Sequence, residues 1–272
     1  MTRKDWTDEK LFYRLLNNKS KRTYWDNITA LRHRPTREVF NRCVELINNG
    51  DVKSREIGIT VLSQLGAAPR PFYKETLKLF VGLLEKEKDV TILFALIYGL
   101  GHNNEKLSPV QVRKLCSFKN TSNTLIREAV TFALGGIDDV NAIEALIELS
   151  ADKSGPIRNW ATFGIGSLTE RDTPTIREAL WNRVDDKHQE TKLEAIAGLA
   201  ARKDGRVIDV IKKELISGEY GTLLFEAIVS LGDKQFIPLL KGQLKTAKKD
   251  HSVNRDWLKD LENCIKELEH AP

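Results

Sequence analysis

The sequence is poor in the residues that mark several classes of protein. It has 17 glycines and 8 prolines in 272 residues, far fewer than collagen-like or low-complexity disordered chains contain. Its longest apolar runs, such as residues 92–97, are much shorter than the ~20 residues of a transmembrane helix. We therefore expect a globular protein without a membrane span, and the length leaves room for one or two domains.

Cysteine is equally scarce. Cys43, Cys116 and Cys264 are far apart, and the chain has no CxxC, no HxxxH and no cysteine–histidine cluster. This spacing argues against a secreted disulfide scaffold and against a zinc site. The first residues include two basic side chains with no apolar stretch behind them, so we expect no signal peptide. Together these observations predict a cytoplasmic protein.

A six-residue pattern recurs along the chain. Each copy has a small or branched apolar residue, three variable positions, a Leu or Ile, and a final Gly or Ala. The copies are 31 to 35 residues apart, and their final residues are at positions 66, 101, 135, 166, 200 and 232. A sequence period of this length is typical of solenoid proteins.

The segments between these copies show helical spacing. Val140, Ile143 and Ile147, for example, are separated by three and four residues, which indicates one apolar face of a helix. Each period therefore predicts an outer amphipathic helix, a turn, and a short inner helix that ends near the Gly. Glycine is typical of that position because it adopts a left-handed conformation without steric cost. The prediction is an all-α solenoid.

Proline and hydroxyl residues predict where some of the helices begin. Pro109, Pro156 and Pro174 suit a first helical turn, where the missing N–H removes no intrahelical hydrogen bond. Ser108 and Thr173 directly precede two of these prolines and are expected to act as N-caps.

Two segments resemble a HEAT repeat of the bacterial, phycobilisome-lyase-like kind. They are SGPIRNWATFGIG at residues 154–166 and NTLIREAVTFALG at residues 123–135. In both, a turn is followed by a branched residue and Arg, and small residues then lead to the final Gly. Lys192 replaces the Arg in another copy, and Leu93 and Leu224 replace it in two more. The resemblance covers residues 36–245 and implies a right-handed α-α superhelix of about six to seven helix pairs.

The resemblance also implies an organisation of the chain. We expect basic N-terminal capping helices over residues 1–35, HEAT-like repeats over 36–245, and a C-terminal capping helix over 246–272, all in one continuous domain. Atypical terminal units are needed because a regular repeat would leave one apolar face uncovered. In the C-terminal segment Trp257, Leu261 and Leu268 have the spacing of such a covering face.

Positive charge is concentrated at the N-terminal end. The formal net charge is +5, but residues 1–42 contain eleven Lys or Arg and five acids, so this segment carries +6 and the rest −1. One interpretation is a basic, aromatic surface for nucleic acid or an acidic partner. The other is a plain capping helix pair with Trp25, Ile28 and Leu31 on its apolar face, which their spacing favours. The candidate basic end comprises Arg14, Lys19, Lys21, Arg22, Arg32, Arg34 and Arg37.

Signs of catalysis are few. The five histidines are scattered, and the chain has no glycine-rich phosphate loop, GxSxG or HExxH motif. It also lacks the His-Glu dipeptides of helical-repeat di-iron hydroxylases. A weak likeness to the alkylpurine DNA glycosylases rests on Trp160, which is flanked by Arg158 and Asn159, with Glu128 one repeat earlier. We expect a protein that is not an enzyme and holds no metal and no cofactor.

The resemblance implies a scaffold that binds a protein or peptide partner through its concave surface, as an adaptor, a regulator or a neutralising, immunity-type binder. The alternative is a nucleic-acid-binding HEAT-like protein that uses the basic end and the arginines of the groove; the −1 charge of the solenoid body weakens it. The repeat Arg is expected to tie one repeat to its neighbour. Trp160 is a candidate on the concave face, either as a partly exposed contact residue or as a core filler between repeats. The polar candidates there, expected to be exposed, are Arg55, Arg127, Glu128, Thr131, Arg158, Asn159, Thr162, Lys192 and Glu194.

Overall fold

The computed structural model describes residues 3–218 and 220–270, so the first and last two residues of the predicted caps lie outside it. The described residues contain sixteen α-helices, two short 3-10 turns and no strand. The all-α prediction is therefore confirmed. The helices are α1 (Asp8–Leu16), α2 (Lys21–Arg32), α3 (Arg37–Asn49), α4 (Val52–Leu62), α5 (Tyr73–Leu84), α6 (Val90–Gly101), α7 (Pro109–Cys116), α8 (Thr124–Leu134), α9 (Val140–Leu149), α10 (Gly155–Gly166), α11 (Pro174–Trp181), α12 (Gln189–Ala201), α13 (Val207–Ser217), α14 (Thr222–Leu231), α15 (Ile237–Ala247) and α16 (Arg255–His270).

The predicted helix starts are confirmed. Helix α7 begins at Pro109, and Ser108 and Gln111 exchange side-chain and backbone hydrogen bonds in a capping box. Helix α11 begins at Pro174, and the Thr173 hydroxyl accepts a hydrogen bond from the third helical N–H. Pro156 is the second residue of α10. The caps of α7 and α11 satisfy backbone donors that a helix otherwise leaves without partners.

The chain divides into two compact units, residues 1–142 and 143–272. In the first unit α3 packs on α4, α5 on α6 and α7 on α8; in the second, α11 packs on α12 and α15 on α16. The even-numbered helices also pack on one another within a unit, α2 through α8 in the first and α10 through α16 in the second. We call the even-numbered helices the inner helices and the odd-numbered ones the outer helices.

The glycines that end the repeats have two different roles. Gly66 and Gly232 have positive φ values of 83° and 74° and follow the helix end as predicted. Gly101 and Gly166 are instead the last residues of α6 and α10, without positive φ. A Cβ on Gly101 would lie 2.5 Å from the Phe132 ring of α8. These glycines are therefore needed because neighbouring inner helices approach closely, and the left-handed explanation is wrong for them.

Apolar residues of the helices at both ends of the chain are buried. Leu11 and Leu15 of α1 and Ile28 of α2 are fully covered in the first unit. In the second unit Leu261 and Leu268 of α16 are buried as their spacing predicts. Burial of a side chain of this size stabilises the fold by roughly 1.5–3 kcal/mol, so these helices contribute to the core of their unit.

Candidate binding surface

The residues predicted for the concave face all lie on inner helices. Arg55 is on α4, three candidates are on α8, four on α10, and Lys192 and Glu194 on α12. The expectation that their side chains are exposed is wrong for Arg127, Thr131 and Thr162, which are buried. Glu128 and Asn159 are half-buried.

The buried threonines have a local hydrogen-bond partner. The Thr131 hydroxyl donates to the carbonyl oxygen of Arg127 and the Thr162 hydroxyl to that of Arg158, each at 2.7 Å. A threonine hydroxyl that donates to the carbonyl four residues earlier no longer needs water as a hydrogen-bond partner, so both side chains can be buried. Because threonine is a polar residue, the sequence pattern wrongly predicted exposed side chains at Thr131 and Thr162.

The repeat arginines bind the loop that precedes the next inner helix. The Arg158 guanidinium forms two hydrogen bonds to the Asp186 carboxylate, at 2.7 and 2.8 Å. This interaction holds the pKa of Asp186 below its usual range. Asp186 also accepts the backbone N–H of His188, at the start of α12. Arg158 thus links two successive repeats of the second unit, as the sequence predicts for this position.

The same arrangement occurs in the first unit. Arg55 of α4 pairs with Glu87, which accepts the backbone N–H of Asp89 at 2.8 Å. Asp89 in turn caps the N-terminus of α6. Both arginines therefore already have carboxylate partners within the fold, which leaves them poorly placed to recognise a partner protein.

The two candidates on α12 are also engaged within the chain. The Lys192 ammonium lies 3.1 Å from the Glu214 carboxylate. Glu194 is half-buried, and burial raises the pKa of its carboxyl group. Of the ten predicted concave-face residues, Trp160 is the one classed as exposed.

Exposed aromatic side chains occur on inner helices of both units. Trp25 of α2, Tyr98 of α6 and Trp160 of α10 are 47%, 40% and 43% exposed. The interpretation of Trp25 as a buried anchor of the N-terminal cap is therefore wrong. Tyr98 was not singled out from the sequence, although it shares with His102 the four-residue spacing of one helix face.

The predicted basic end is divided between structural and exposed side chains. Arg34 bonds to the Asp8 carboxylate and to the carbonyl oxygen of Trp6, both at 2.7 Å. Arg37 forms a two-point pair with Glu75, and Arg32 is half-buried. The remaining four side chains are exposed and form no ion pair with any described residue: Arg14, Lys19, Lys21 and Arg22.

An open groove of about 520 Å³ lies beside these exposed cations in the first unit. It is lined by Trp6, Tyr13, Arg14 and Lys19, among others. The Trp6 ring has the Lys10 ammonium 4.4 Å from its centroid and the Arg14 guanidinium at 5.9 Å. The groove therefore combines exposed positive charge with aromatic surface, as the first interpretation of this segment supposes.

A second polar and aromatic cluster lies at the end of α6. The Tyr98 ring stacks on Phe132 with centroids 4.4 Å apart, and His102 packs edge-on against both. The side-chain amide of Gln64, just after α4, lies 2.6 Å from the His102 ring. Burial and the charges of two nearby arginines lower the pKa of His102 to about 4, so the imidazole is neutral at neutral pH.

The described residues show neither grouped metal ligands nor a membrane-spanning helix. No three His, Cys, Asp or Glu side chains among them are grouped as metal ligands. No described helix combines the length and apolar character that crossing a bilayer requires.

Known proteins share this architecture. Residues 126–152 match the family model of the PBS lyase HEAT-like repeat. The chain is 28% identical to Escherichia coli K12 protein YibA over 246 residues, which cover 89% of this chain and 86% of YibA. The X-ray structure of E. coli YibA matches with a TM-score of 0.74 and 25% identity, over 98% of this chain and 94% of that one. An engineered protein matches with a TM-score of 0.54 at 13% identity, over 99% of this chain and 83% of that one, a likeness of fold alone.

Proposed function

This chain is built from HEAT-like repeats, and we propose that it is a non-enzymatic scaffold that binds a protein partner through the exposed side of its inner helices. Repeat motifs of this kind encode packing rather than chemistry, so the function has to be argued from the surface. The partner is a protein that the scaffold recruits, regulates or neutralises, and the cytoplasm is the compartment in which we place the interaction.

The observation that carries the proposal is the placement of Trp25, Tyr98 and Trp160. Each lies on an inner helix with 40 to 47% of its surface exposed. Tryptophan and tyrosine dominate the binding energy of protein interfaces because they bury a large, rigid area with little loss of side-chain entropy. By contrast, Arg55 and Arg158, which also lie on inner helices, are already paired with carboxylates within the fold, so the aromatic residues are the better candidates for contact.

The proposal is tested in two steps. The tagged full-length protein is first purified from its native host after cross-linking, and the captured protein is identified and produced separately. Its affinity is then measured for the variants Trp25→Ala, Tyr98→Ala and Trp160→Ala. We expect at least one of them to weaken binding by roughly 30-fold, the size of a hot-spot effect of about 2 kcal/mol.

Ile216 supplies the matched control. It is 75% exposed but lies on the outer helix α13, so Ile216→Ala removes a comparable apolar surface from the opposite kind of helix. We expect unchanged affinity for this variant. If all three aromatic variants bind as tightly as the unaltered protein, the inner-helix surface is not the binding surface and the proposal is wrong.

Nucleic-acid binding is the second candidate function. The groove lined by Trp6, Tyr13, Arg14 and Lys19 favours it, because aromatic stacking next to exposed cations is how unpaired nucleotides are held. Binding of this kind depends strongly on salt concentration, whereas recognition through an aromatic surface depends on it far less. The salt dependence therefore distinguishes the two candidates.

A further inference from the structure

Two half-buried arginines near His102 differ from Arg158, Arg177 and Arg206 in their partners. Arg158, Arg177 and Arg206 each pair with at least one carboxylate. Arg32 and Arg70 have no ion pair with any carboxylate of the described residues; they donate to backbone oxygens, and Arg70 also donates to the Asn103 side-chain oxygen at 3.4 Å. Their terminal nitrogens lie 3.0 Å from the Thr60 carbonyl and 2.7 Å from the His102 carbonyl, respectively.

The hydrogen bonding of these two guanidinium groups is incomplete. The Nε atoms of Arg32 and Arg70 are buried and have no hydrogen-bond partner in the described structure. A buried N–H group of a charged side chain that has no hydrogen-bond partner is costly, because burial removes its contact with water. Glu56 of α4 and Glu105 after α6 form no ion pair with either arginine. The fold therefore holds two positive charges that it does not neutralise.

The electrostatic effect of the pair is visible at the neighbouring groups. Burial first, and then the charges of Arg32 and Arg70, lower the pKa of His102 to about 4. Burial also lowers the pKa of Arg32 itself. Because His102 is neutral at neutral pH, the two guanidinium groups supply the positive charge of the cluster.

Aromatic surface lies directly beside these charges. The Tyr98 ring contacts His102 and Phe132, and the Arg32 guanidinium lies 6.0 Å from the centroid of the Trp25 ring. The cluster thus combines two guanidinium charges that both act on His102 with an exposed aromatic area for an apolar side chain.

We infer that the cluster of Arg32, Arg70 and His102 receives a carboxylate from an acidic peptide segment of the protein partner, with an adjacent apolar side chain of that segment packed on Tyr98. The inference rests on the proposed function and names the chemistry of the partner. Guanidinium groups bind carboxylates in a planar, two-point geometry. Two guanidiniums suffice for one carboxylate, whereas a nucleic-acid strand needs cations along many successive phosphates.

The test selects peptides on the intact protein. A phage-displayed library of random dodecapeptides is panned on the immobilised full-length chain, and the affinity of the best-enriched peptide is measured by fluorescence anisotropy. We expect the enriched peptides to carry an Asp or Glu next to an aromatic or aliphatic residue. Replacing that acid by its amide should weaken binding to the unaltered protein by roughly 10- to 100-fold, the effect of losing a charged hydrogen-bond partner.

Variants of the protein complete the test. Arg70→Gln should give a loss like that of the amide peptide, and the two changes combined should give little further loss, because both remove the same contact. Arg113→Gln, at an exposed position of the outer helix α7, should have no effect. A thermal melt of Arg70→Gln shows whether it is folded, and the amide peptide tests the same contact on the unaltered protein.

Other results separate the inference from the function on which it rests. If peptides bind and Tyr98→Ala weakens them but the acid is dispensable, the carboxylate inference is overturned and the proposed function stands. If no peptide is enriched, or if binding ignores the Tyr98, Trp25 and Trp160 variants, both fail. If an oligo-dT strand binds in an Arg70-dependent manner and no peptide does, the occupant is nucleic acid and the inference is overturned.

Discussion

Half-buried arginines such as Arg158 link successive repeats through hydrogen bonds. Arg158 holds the Asp186 carboxylate and the carbonyl oxygens of Asp152 and Lys153, so it fixes loops on both sides of α10. The Asp186 side chain is only 4% exposed. The charged form of Asp186 is therefore stabilised mainly by the neighbouring arginines. For this reason, a substitution of Arg158 should reduce the stability of the whole second unit.

Replacing Arg158 by Met should lower the free energy of unfolding by about 2 kcal/mol. The change keeps most of the side-chain length but leaves a buried carboxylate with only Arg183 as its cationic partner. Urea unfolding followed by circular dichroism measures the difference. Lys187→Met, at an exposed neighbouring position, is the control and should change stability by less than about 0.5 kcal/mol. Equal effects of the two substitutions would contradict the structural role of Arg158.

Asp204 makes the stability of the second unit depend on pH. Hydrogen bonds from Arg206 lower the pKa of Asp204 from its ordinary 3.8 to about 2, and the side chain is 8% exposed. A carboxyl group with a depressed pKa in the folded state stabilises the fold fully above its unfolded pKa. The contribution, of about 2 kcal/mol, is lost as the pH falls from about 5 towards 2.

The measurement is the free energy of unfolding as a function of pH. The unaltered protein should lose stability across this acid range, and Asp204→Asn should lose less, since its side chain cannot be protonated there. The variant should also be less stable at pH 7, where the carboxylate is charged. A pH profile of the same slope for both proteins would show that Asp204 titrates normally.

At the scale of the helices, close approach between neighbours depends on glycine. Gly198 of α12 faces Gly166 of α10, and a Cβ on Gly198 would lie 2.7 Å from the Gly166 Cα and 3.1 Å from the Leu180 side chain. A methyl group there would have to push two inner helices apart. Because the opposing atom belongs to the backbone, no side-chain rotation can relieve the contact.

Gly198→Ala should therefore destabilise the protein by about 1–3 kcal/mol, the usual cost of overpacking. Gly242→Ala is the matched control, in which the added methyl group has free space. Gly242 lies in the middle of α15, and an added Cβ would meet nothing within 4 Å. Its replacement should stabilise the protein by up to about 1 kcal/mol, because alanine loses less backbone entropy on folding. Thermal melts of the two variants should shift in opposite directions.

The helices were predictable because their signals are local. A helix is recognised from apolar residues three and four apart, and its start from a capping residue before Pro109 or Pro174. Both signals lie within a short stretch of sequence. The role of Gly101 was not predictable in this way, because it depends on Phe132 in the next repeat. Thr131 was missed for a different reason: its hydroxyl bonds to the carbonyl of Arg127, so a residue that is polar in the sequence is buried.

The candidate surface was predictable only in part. The period correctly places the ten predicted concave-face residues on inner helices, and Trp160 is exposed there. The sequence could not show that Arg55 and Arg158 are paired with acids about thirty positions later, since such pairs depend on the packing of whole repeats. For the same reason, the cluster of Arg32, Arg70 and His102 was not foreseen, although each residue is visible in the sequence.

For the whole molecule, the uneven charge separates the two candidate functions. Part of the positive charge of residues 1–42 is not available to a partner, because Arg34 and Arg37 form ion pairs within the chain and Arg32 is half-buried. Six exposed cations of this segment form no ion pair with a described residue: Lys4, Lys10, Arg14, Lys19, Lys21 and Arg22. This is a small number for non-specific binding to DNA, in which affinity grows with the number of phosphates neutralised.

A single-stranded oligonucleotide should therefore bind weakly. Its log affinity should fall against log salt with a slope no steeper than about 4, since each phosphate of a single strand neutralised by one of the six cations contributes about 0.7. Replacing the six exposed cations together by Gln should remove most of this slope and leave the affinity for a protein partner unchanged. The matched control replaces six exposed lysines elsewhere in the first unit and should alter neither; these are Lys74, Lys78, Lys86, Lys88, Lys106 and Lys114. A much steeper slope, or an equal loss in both variants, would mean that DNA is held by a wider surface and would favour nucleic acid as the physiological partner.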